Sequence, residues 1–415
     1  MTYKKTYDSG LKVVAQNMPH LYTISFGIYV NVGSSFEEQH QNGFCHLIEH
    51  MNFKGTTRRT ALQISEQMED LGAQVNAYTS KDSTCFYVKC FADDFEACLE
   101  MLSDMYFNST FDEEQLEAEK HVVIEEIAMD EDLPDEKCYE LASKAIFDGQ
   151  KLGMPIGGTA EIISKVSRED LVAFKNKFYC AKNTIISVAG KIDQEKLDNL
   201  IEKYFESNFK NNQGQYHWED QTQYSDKFLY KICQSEQSHV CYAYPTYPMM
   251  HKKMPALNVL SYVLGGAMSS RLFQSVREKH GLAYSVFTFK SSYRNAGYLQ
   301  IYVAVNPENV LKTDKLIKDE INLLLQEGIT EQELERAKTQ LVKGLYMSLE
   351  GNQGVMSINA RRMLKEGQLF DVEKEVQLVK DVTREDVRAV ANEIFAQNYA
   401  LSYVGKAFDG FKNLK

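Results

Sequence analysis

With 415 residues, 44% of them apolar, the chain can bury a large core, and at ~150 residues per domain it should form two or three domains. Its 46 Lys+Arg against 58 Asp+Glu give a net charge of −12, which argues against a general nucleic-acid binder, since that needs a basic surface to neutralise phosphates. The longest apolar runs fall far short of the ~20 residues of a membrane span, and Met1-Thr2-Tyr3-Lys4-Lys5-Thr6 shows no signal-peptide pattern. The 7 prolines are too few for a disordered or linker-rich protein. The 8 cysteines, at 45, 85, 90, 98, 138, 180, 233 and 241, form no CxxC and no disulfide framework, so they read as reduced thiols, mostly in the core. Cys85 and Cys90 are an odd number apart in a strand-like stretch and should face opposite sides of it. The expectation is a folded, soluble, acidic, intracellular protein.

In chain order, the alternation in Thr23-Ile-Ser-Phe-Gly-Ile-Tyr-Val30 predicts a strand, and a helical segment follows from about 42 to 52. A second helix starts near Ala61 and ends at Gly72, a suitable C-cap. Strands over 74–79 and 84–90 come next, then helices over roughly 92–108 and 112–130. The second half repeats this order. Phe111-Asp-Glu-Glu-Gln-Leu116-Glu-Ala-Glu-Lys120 lines up with Ile329-Thr-Glu-Gln-Glu-Leu334-Glu-Arg-Ala-Lys338 at an offset of 218, and Gly72-Ala-Gln-Val with Gly281-Leu-Ala-Tyr at 209. Offsets of about half the chain predict a duplicated α+β domain with the polar stretch 208–215 as linker, giving domains over 1–207 and 216–415.

Chemistry concentrates in Gly43-Phe-Cys-His46-Leu-Ile-Glu49-His50-Met51. His46 and His50 are four residues apart and Glu49 lies three after His46, so all three project from one side of a helix. Two imidazoles at that spacing can hold one Zn²⁺, and a neighbouring carboxylate can take a proton from a water on it. This H-x-x-E-H order is a zinc-peptidase signature expected by chance on the order of 0.01 times in such a chain, so a pair of merely structural histidines is the weaker reading.

A catalytic zinc site needs a third protein ligand. The helix after Asp112 has an apolar side marked by Leu116, Val123 and Ile127; Glu119 and Glu126 share that side, two turns apart, while Glu125 points away. Carboxylates facing a core need a cation or hydrogen bonds, which fits Glu126 as a ligand and Glu119 as a group supporting one. The second half serves as a control. At the offset of 218, Glu119 and Glu126 become Ala337 and Gly344; at 209, His46, Glu49 and His50 become Pro255, Asn258 and Val259. The copy keeps the pattern of elements and loses every ligand, which predicts one catalytic and one non-catalytic domain.

These stretches resemble the pitrilysin/insulinase family of zinc peptidases, and among its members the mitochondrial processing peptidase β-subunit and its short bacterial relatives. His46-Leu-Ile-Glu-His-Met-Asn-Phe-Lys-Gly-Thr56 is similar to the family's zinc helix, Val75-Asn-Ala-Tyr-Thr-Ser80 to its substrate-binding edge strand, and Val122-Val-Ile-Glu-Glu-Ile127 to the segment bearing the third ligand. Leu152-Gly-Met-Pro-Ile-Gly-Gly-Thr159 and 269–285 also match. The resemblance implies a processing-peptidase-like fold of two homologous domains, each a mostly antiparallel sheet packed with helices. It implies one zinc on His46, His50 and Glu126, with Glu49 as general base and Glu119 as a second acidic residue. It further implies Asn76, Ala77, Tyr78 and Thr79 as the strand beside which an extended peptide lies, and Arg277 and Tyr284 as groups reaching the substrate and its tetrahedral intermediate. By spacing alone, Arg277 and Tyr284 read equally well as surface and core residues.

The glycine-rich loop of the non-catalytic processing-peptidase subunit is absent, Leu264-Gly-Gly-Ala-Met268 being too short, and the N-terminus lacks an Arg-rich presequence. A bacterial cytoplasmic endopeptidase is therefore expected. The family encloses peptides in a chamber of four homologous domains, so two chains should meet, first as a homodimer and second as a heterodimer with an inactive homologue. The rival expectation is a non-catalytic structural subunit of the same fold.

Overall fold

A computed structural model describes residues 2–209, 222–408, 410 and 414. The strands are β1 (Thr2–Thr6), β2 (Lys12–Asn17), β3 (Thr23–Val30), β4 (Gln74–Thr79), β5 (Thr84–Phe91), β6 (Thr184–Gly190), β7 (Phe228–Ile232), β8 (Ser238–Thr246), β9 (Ala283–Ser292), β10 (Gly297–Val305) and β11 (Ala400–Gly405). Among the helices, α1 (Phe44–Met51), α2 (Ala61–Asp70), α3 (Phe95–Asn108), α4 (Glu113–Asp132), α5 (Pro134–Ile146), α6 (Ala160–Ile163), α7 (Arg168–Phe178) and α8 (Gln194–Ile201) come from the first half. The second half adds α9 (Met254–Gly265), α10 (Val310–Glu327), α11 (Glu331–Ser348), α12 (Asn352–Glu366), α13 (Val372–Lys380) and α14 (Arg384–Phe395).

One sheet runs β1-β2-β6-β3-β5-β4 and the other β7-β11-β8-β10-β9. Without β1 the two orders are the same, down to one parallel pair in each, β2 with β6 and β7 with β11. Local devices repeat too: Gly72 and Gly281 enter β4 and β9 with φ of 59° and 62°. Arg168 Nε donates to the Phe111 carbonyl at 2.9 Å, and Arg384 Nε to the Ile329 carbonyl at 2.7 Å, the same bond one repeat later. The duplicated α+β architecture follows directly.

The compact units are not continuous in sequence. One comprises Met1–Ile127, Pro155–Trp218 and Tyr346–Phe370; the other comprises Ala128–Met154, Glu219–Leu345 and Asp371–Lys415. The division into 1–207 and 216–415 thus describes the repeat, whereas in packing each half lends a segment to the other, and residues 210–215 of the expected linker lie outside the described residues. The physical reason lies in the sheets. Burial along β3 is nearly continuous, with Ile24, Phe26, Ile28 and Val30 in the main core of the first unit and Tyr29 on the opposite face. That opposite face is covered by Val355, Met356, Ala360 and Met363 of α12. In the second unit, Cys138, Ala142, Ala145 and Ile146 of α5 pack on Cys241, Ala243, Tyr302 and Val404. Helices at equivalent places in the repeat are exchanged, so each sheet is covered on both faces.

The cysteines follow the pattern: seven are buried, Cys233 is half-buried, and Cys85 and Cys90 belong to cores on opposite faces of the first sheet. The exchanged α12 is anchored by buried Asn352, whose side chain accepts from Ser25 Oγ at 2.9 Å and donates to the carbonyl and hydroxyl of Thr23, each at 3.0 Å. Asn352→Ala leaves these groups unpaired in a dry interior and is expected to destabilise the protein by about 1–3 kcal/mol, read as a lowered urea midpoint; an unchanged midpoint removes the anchoring role.

Candidate metal centre

Helix α1 is only eight residues long, and its neighbours fix both ends. Its apolar side, Phe44, Cys45, Leu47, Ile48 and Met51, is buried, which leaves His46, Glu49 and His50 on the other side, half-exposed. At the N-terminus Gly43 has φ 97°, and a Cβ there would come within 2.7 Å of the Gly157 carbonyl, so only glycine fits. The fully buried Glu37 carboxylate accepts from Gly43 N at 2.8 Å, Cys45 N at 2.7 Å and Asn42 Nδ2 at 3.1 Å, filling the donors that the first turn leaves free. Burial nonetheless pushes its carboxyl up to about 7 against those donors. At the other end Asn52 donates to the Ile48 carbonyl at 2.9 Å and accepts from Lys175 Nζ of α7 at 2.9 Å.

Helix α4 brings the carboxylates as its periodicity predicts. Leu116, Glu119 and Val123 are buried, Glu126 is half-exposed and Glu125 points to solvent. Glu126 Oε2 lies 3.6 Å from His50 Nε2 and 3.9 Å from His46 Nε2. One donor atom from each of these residues falls within 4.8 Å of the others, and among the described residues no further cluster of three His, Cys, Asp or Glu meets that distance. The two rings meet edge to face with centroids 4.7 Å apart. On its other nitrogen, His50 Nδ1 contacts Glu119 Oε2 at 3.0 Å, and Glu119 Oε1 in turn contacts Lys54 Nζ at 2.6 Å.

Glu49 stands on the same face of α1, with Oε2 held by the Thr79 hydroxyl at 2.5 Å. Burial raises its pKa, while the Thr79 hydrogen bond pulls the other way. Thr79 closes β4, an edge strand paired only with β5, so Asn76, Ala77, Tyr78 and Thr79 lie along a free edge, with Asn76 and Tyr78 turned outward. The Thr79 side chain is committed to Glu49, which leaves its main chain for any added strand. Cys45 is buried, and burial holds its thiol well above the usual range, so it is no nucleophile. Arg277 and Tyr284 belong to the second unit, where the guanidinium lies 5.0 Å from the centroid of the Tyr284 ring and 4.7 Å from that of Phe273. They line a recess of about 240 Å³ with Gly265–Met268, and Tyr284 is 73% exposed.

Ligands about 2.1 Å from a tetrahedral zinc stand about 3.4 Å apart, and the observed donor separations of 3.6 and 3.9 Å are close to that spacing. Burial lowers the His46 pKa to about 4, so its imidazole is neutral at pH 7, the form that binds metal. Two imidazole nitrogens and one carboxylate suit zinc.

The pattern of the insulinase family, peptidase family M16, matches residues 12–160, and that of the peptidase M16 inactive domain matches residues 165–341. The Bacillus subtilis protein YmxG, named as an uncharacterized zinc protease, is 36% identical over 404 residues, covering 97% of this chain and 98% of its own. The chain belongs to the insulinase family. A Streptomyces coelicolor protein, also named as an uncharacterized zinc protease, is 31% identical over 98% of this chain and 90% of its own. Two solved structures share the fold with a TM-score of 0.91: a Helicobacter pylori protease at 23% identity, over 98% of this chain and 99% of the other, and a Pseudomonas fluorescens peptidase M16 inactive domain at 20%, over 98% of each.

In this insulinase-family chain, sequence reasoning named the convergent side chains and missed those that hold them. Glu37 is one of two adjacent glutamates, and only the folded chain shows that it caps α1. Gly157 and Gly158 were visible as a motif, but not as the wall of the site: Gly158 has φ 79°, and a Cβ there would meet the Asn42 carbonyl at 2.4 Å. Lys175 was not singled out. Burial lowers its pKa to about 7, so between pH ~7 and ~10.5 the folded chain binds fewer protons than the unfolded chain, and stability gains with rising pH across that window. Compared at pH 7 and 10, the urea midpoint of the wild type is expected to rise relative to that of Lys175→Met; a constant difference rejects the buried cation.

Proposed function

We propose that this chain is a zinc-dependent endopeptidase that hydrolyses extended peptides, including presequence-like segments. The observation that carries it is the convergence of His46, His50 and Glu126 on one point, with Glu49 on the same helix face and beside a free strand edge. The names of the relatives and the family match support the same chemistry. His46 Nε2, His50 Nε2 and the Glu126 carboxylate would hold the ion. Zinc supplies a Lewis acid that acidifies a water and polarises a carbonyl.

The remaining work falls to the chain. An extended peptide adds to the edge of β4, where main-chain hydrogen bonds align it and Asn76 and Tyr78 flank it. The Thr79 hydroxyl fixes the rotamer of Glu49, which takes the proton of the attacking water and delivers it to the departing amine, so the base is restored each turn. Glu119 holds the His50 ring. Arg277 and Tyr284, stacked on one another, offer a cation and a phenol to a developing oxyanion, the role their resemblance implies.

The division of labour is a catalytic first repeat, 1–207, and a non-catalytic second repeat, 216–415; the inactive-domain pattern, which matches residues 165–341, overlaps much of the second repeat and supports this reading. Two chains would build the chamber, as a homodimer ahead of a heterodimer with an inactive homologue, in a bacterial cytoplasm. Among the described residues no helix is long and apolar enough to cross a membrane. The second reading, a non-catalytic subunit, draws on that same inactive-domain match.

The test is cleavage of a quenched basic peptide library by wild type and Glu49→Gln, with bound zinc quantified in both. The expected result is an unchanged zinc content and a kcat/KM lowered about 10²–10⁴-fold. A zinc-loaded wild type that cuts nothing supports the non-catalytic reading instead.

A further inference from the structure

Both oxygens of Glu119 have a partner: Oε2 lies 3.0 Å from His50 Nδ1, and Oε1 lies 2.6 Å from Lys54 Nζ. The Glu119 side chain is only 6% exposed, so its charge stands in a poorly solvated place and depends on those two partners. Lys54 is no free surface lysine. Its backbone N–H closes on the Met51 carbonyl at 3.2 Å, immediately after α1, and Gly55 beside it has φ 116°. Thr56 then pairs with Ser109 in an isolated bridge and donates to buried Asp104 at 2.7 Å. The backbone carrying Lys54 is therefore pinned at both ends, and its ammonium is delivered to one spot.

The two imidazoles differ in their outer support. His46 Nδ1 is buried and has no hydrogen-bond partner among the described residues, whereas His50 Nδ1 has Glu119. For His50 to present Nε2 as a lone pair, Nδ1 must carry the hydrogen, and a fixed carboxylate that accepts it holds that tautomer and the ring orientation. A carboxylate free to swing would lose that geometry.

We propose that Lys54 is a positioning residue of the metal centre: by holding the second oxygen of Glu119 it fixes the carboxylate that sets the ring and tautomer of His50. This rests on the metal-centre reading above. Lys54 touches neither metal nor substrate in this scheme and acts only through Glu119.

The experiment measures zinc affinity by competition with a fluorescent chelator for wild type, His46→Ala, Lys54→Met, Lys54→Arg, Glu119→Gln and the Lys54→Met/Glu119→Gln double variant, together with metal-free melting temperatures. Lys54→Met is expected to weaken zinc binding about tenfold, the lower end of what losing an outer partner of a ligand costs. Lys54→Arg, which restores a donor, should recover most of it. The double variant should bind no more weakly than Glu119→Gln alone, because both changes break one chain of contacts; metal-free melting is expected to fall in Lys54→Met, where the buried Glu119 charge loses its cation, and to recover in the double variant, where that charge is gone. Wild-type affinity in Lys54→Met, or additive losses in the double variant, overturns the inference while zinc lost in His46→Ala keeps the metal centre standing. A wild type that binds no zinc overturns both.

Discussion

An eight-residue helix makes too few internal hydrogen bonds to hold its own shape in water, yet α1 carries both imidazoles and the carboxylate on which the site's chemistry rests. Everything around it supplies the missing rigidity. Five apolar side chains sink one face into the main core of the first unit. Glu37 takes the free amides of the first turn, and the Gly157–Gly158 segment presses against Gly43 so closely that side chains are excluded there. Asn52 and Lys175 close the last turn. The polar contacts are expensive to bury, so their presence in a region that could have been packed with apolar groups marks what the fold gives up for a fixed helix.

The second repeat shows that the fold does not need that arrangement. It keeps the strand order β7-β11-β8-β10-β9 and the arginine bond to the turn before its long helix, both shared with the first. The helix at the place of α1, α9, starts at Met254 with proline next and runs twelve residues, eight of them buried. Ala337, buried, stands where Glu119 does in the first repeat, and Gly344 where Glu126 does. With no polar groups to hold at one point, the corresponding helix is longer, twelve residues against eight, and carries no histidine or glutamate. The architecture stands without the polar site.

Much of this was legible in the sequence because periodicity fixes faces. A spacing of seven on α4 put Glu119 and Glu126 on the side of Leu116 and Val123, and the structure buries or half-buries them there. Alternation placed Cys85 and Cys90 on opposite faces of one sheet. Periodicity does not say which sheet a face will meet. The apolar stripes of α5 and α12 announce that each must be covered, but either sheet satisfies them, and the exchange of the two helices between units is set by long-range packing alone. Contacts such as Thr79 to Glu49 or Glu37 to Cys45 join elements without any mark in local spacing, since a threonine on a strand edge and a glutamate in a turn are ordinary residues until a partner arrives.

One further consequence of the spacing on α4 ties helix geometry to chemistry. Seven residues rise about 10.5 Å and return within about 20° of the starting direction, so Glu119 and Glu126 leave the helix as near-parallel arms two turns apart. His50 stands between them: Glu119 meets Nδ1 at 3.0 Å and Glu126 approaches Nε2 at 3.6 Å. A single helix therefore holds Nδ1 through Glu119 and sets Glu126 at ligand spacing from Nε2, and a ring flip would break the first contact and turn Nε2 away from the second. His46 has no such double hold, its Nδ1 being without a partner among the described residues. The ring orientation that matters most to the site is thus imposed by α4, which is why a short α1 suffices: it has only to deliver the imidazole between two carboxylates whose separation the longer helix already sets.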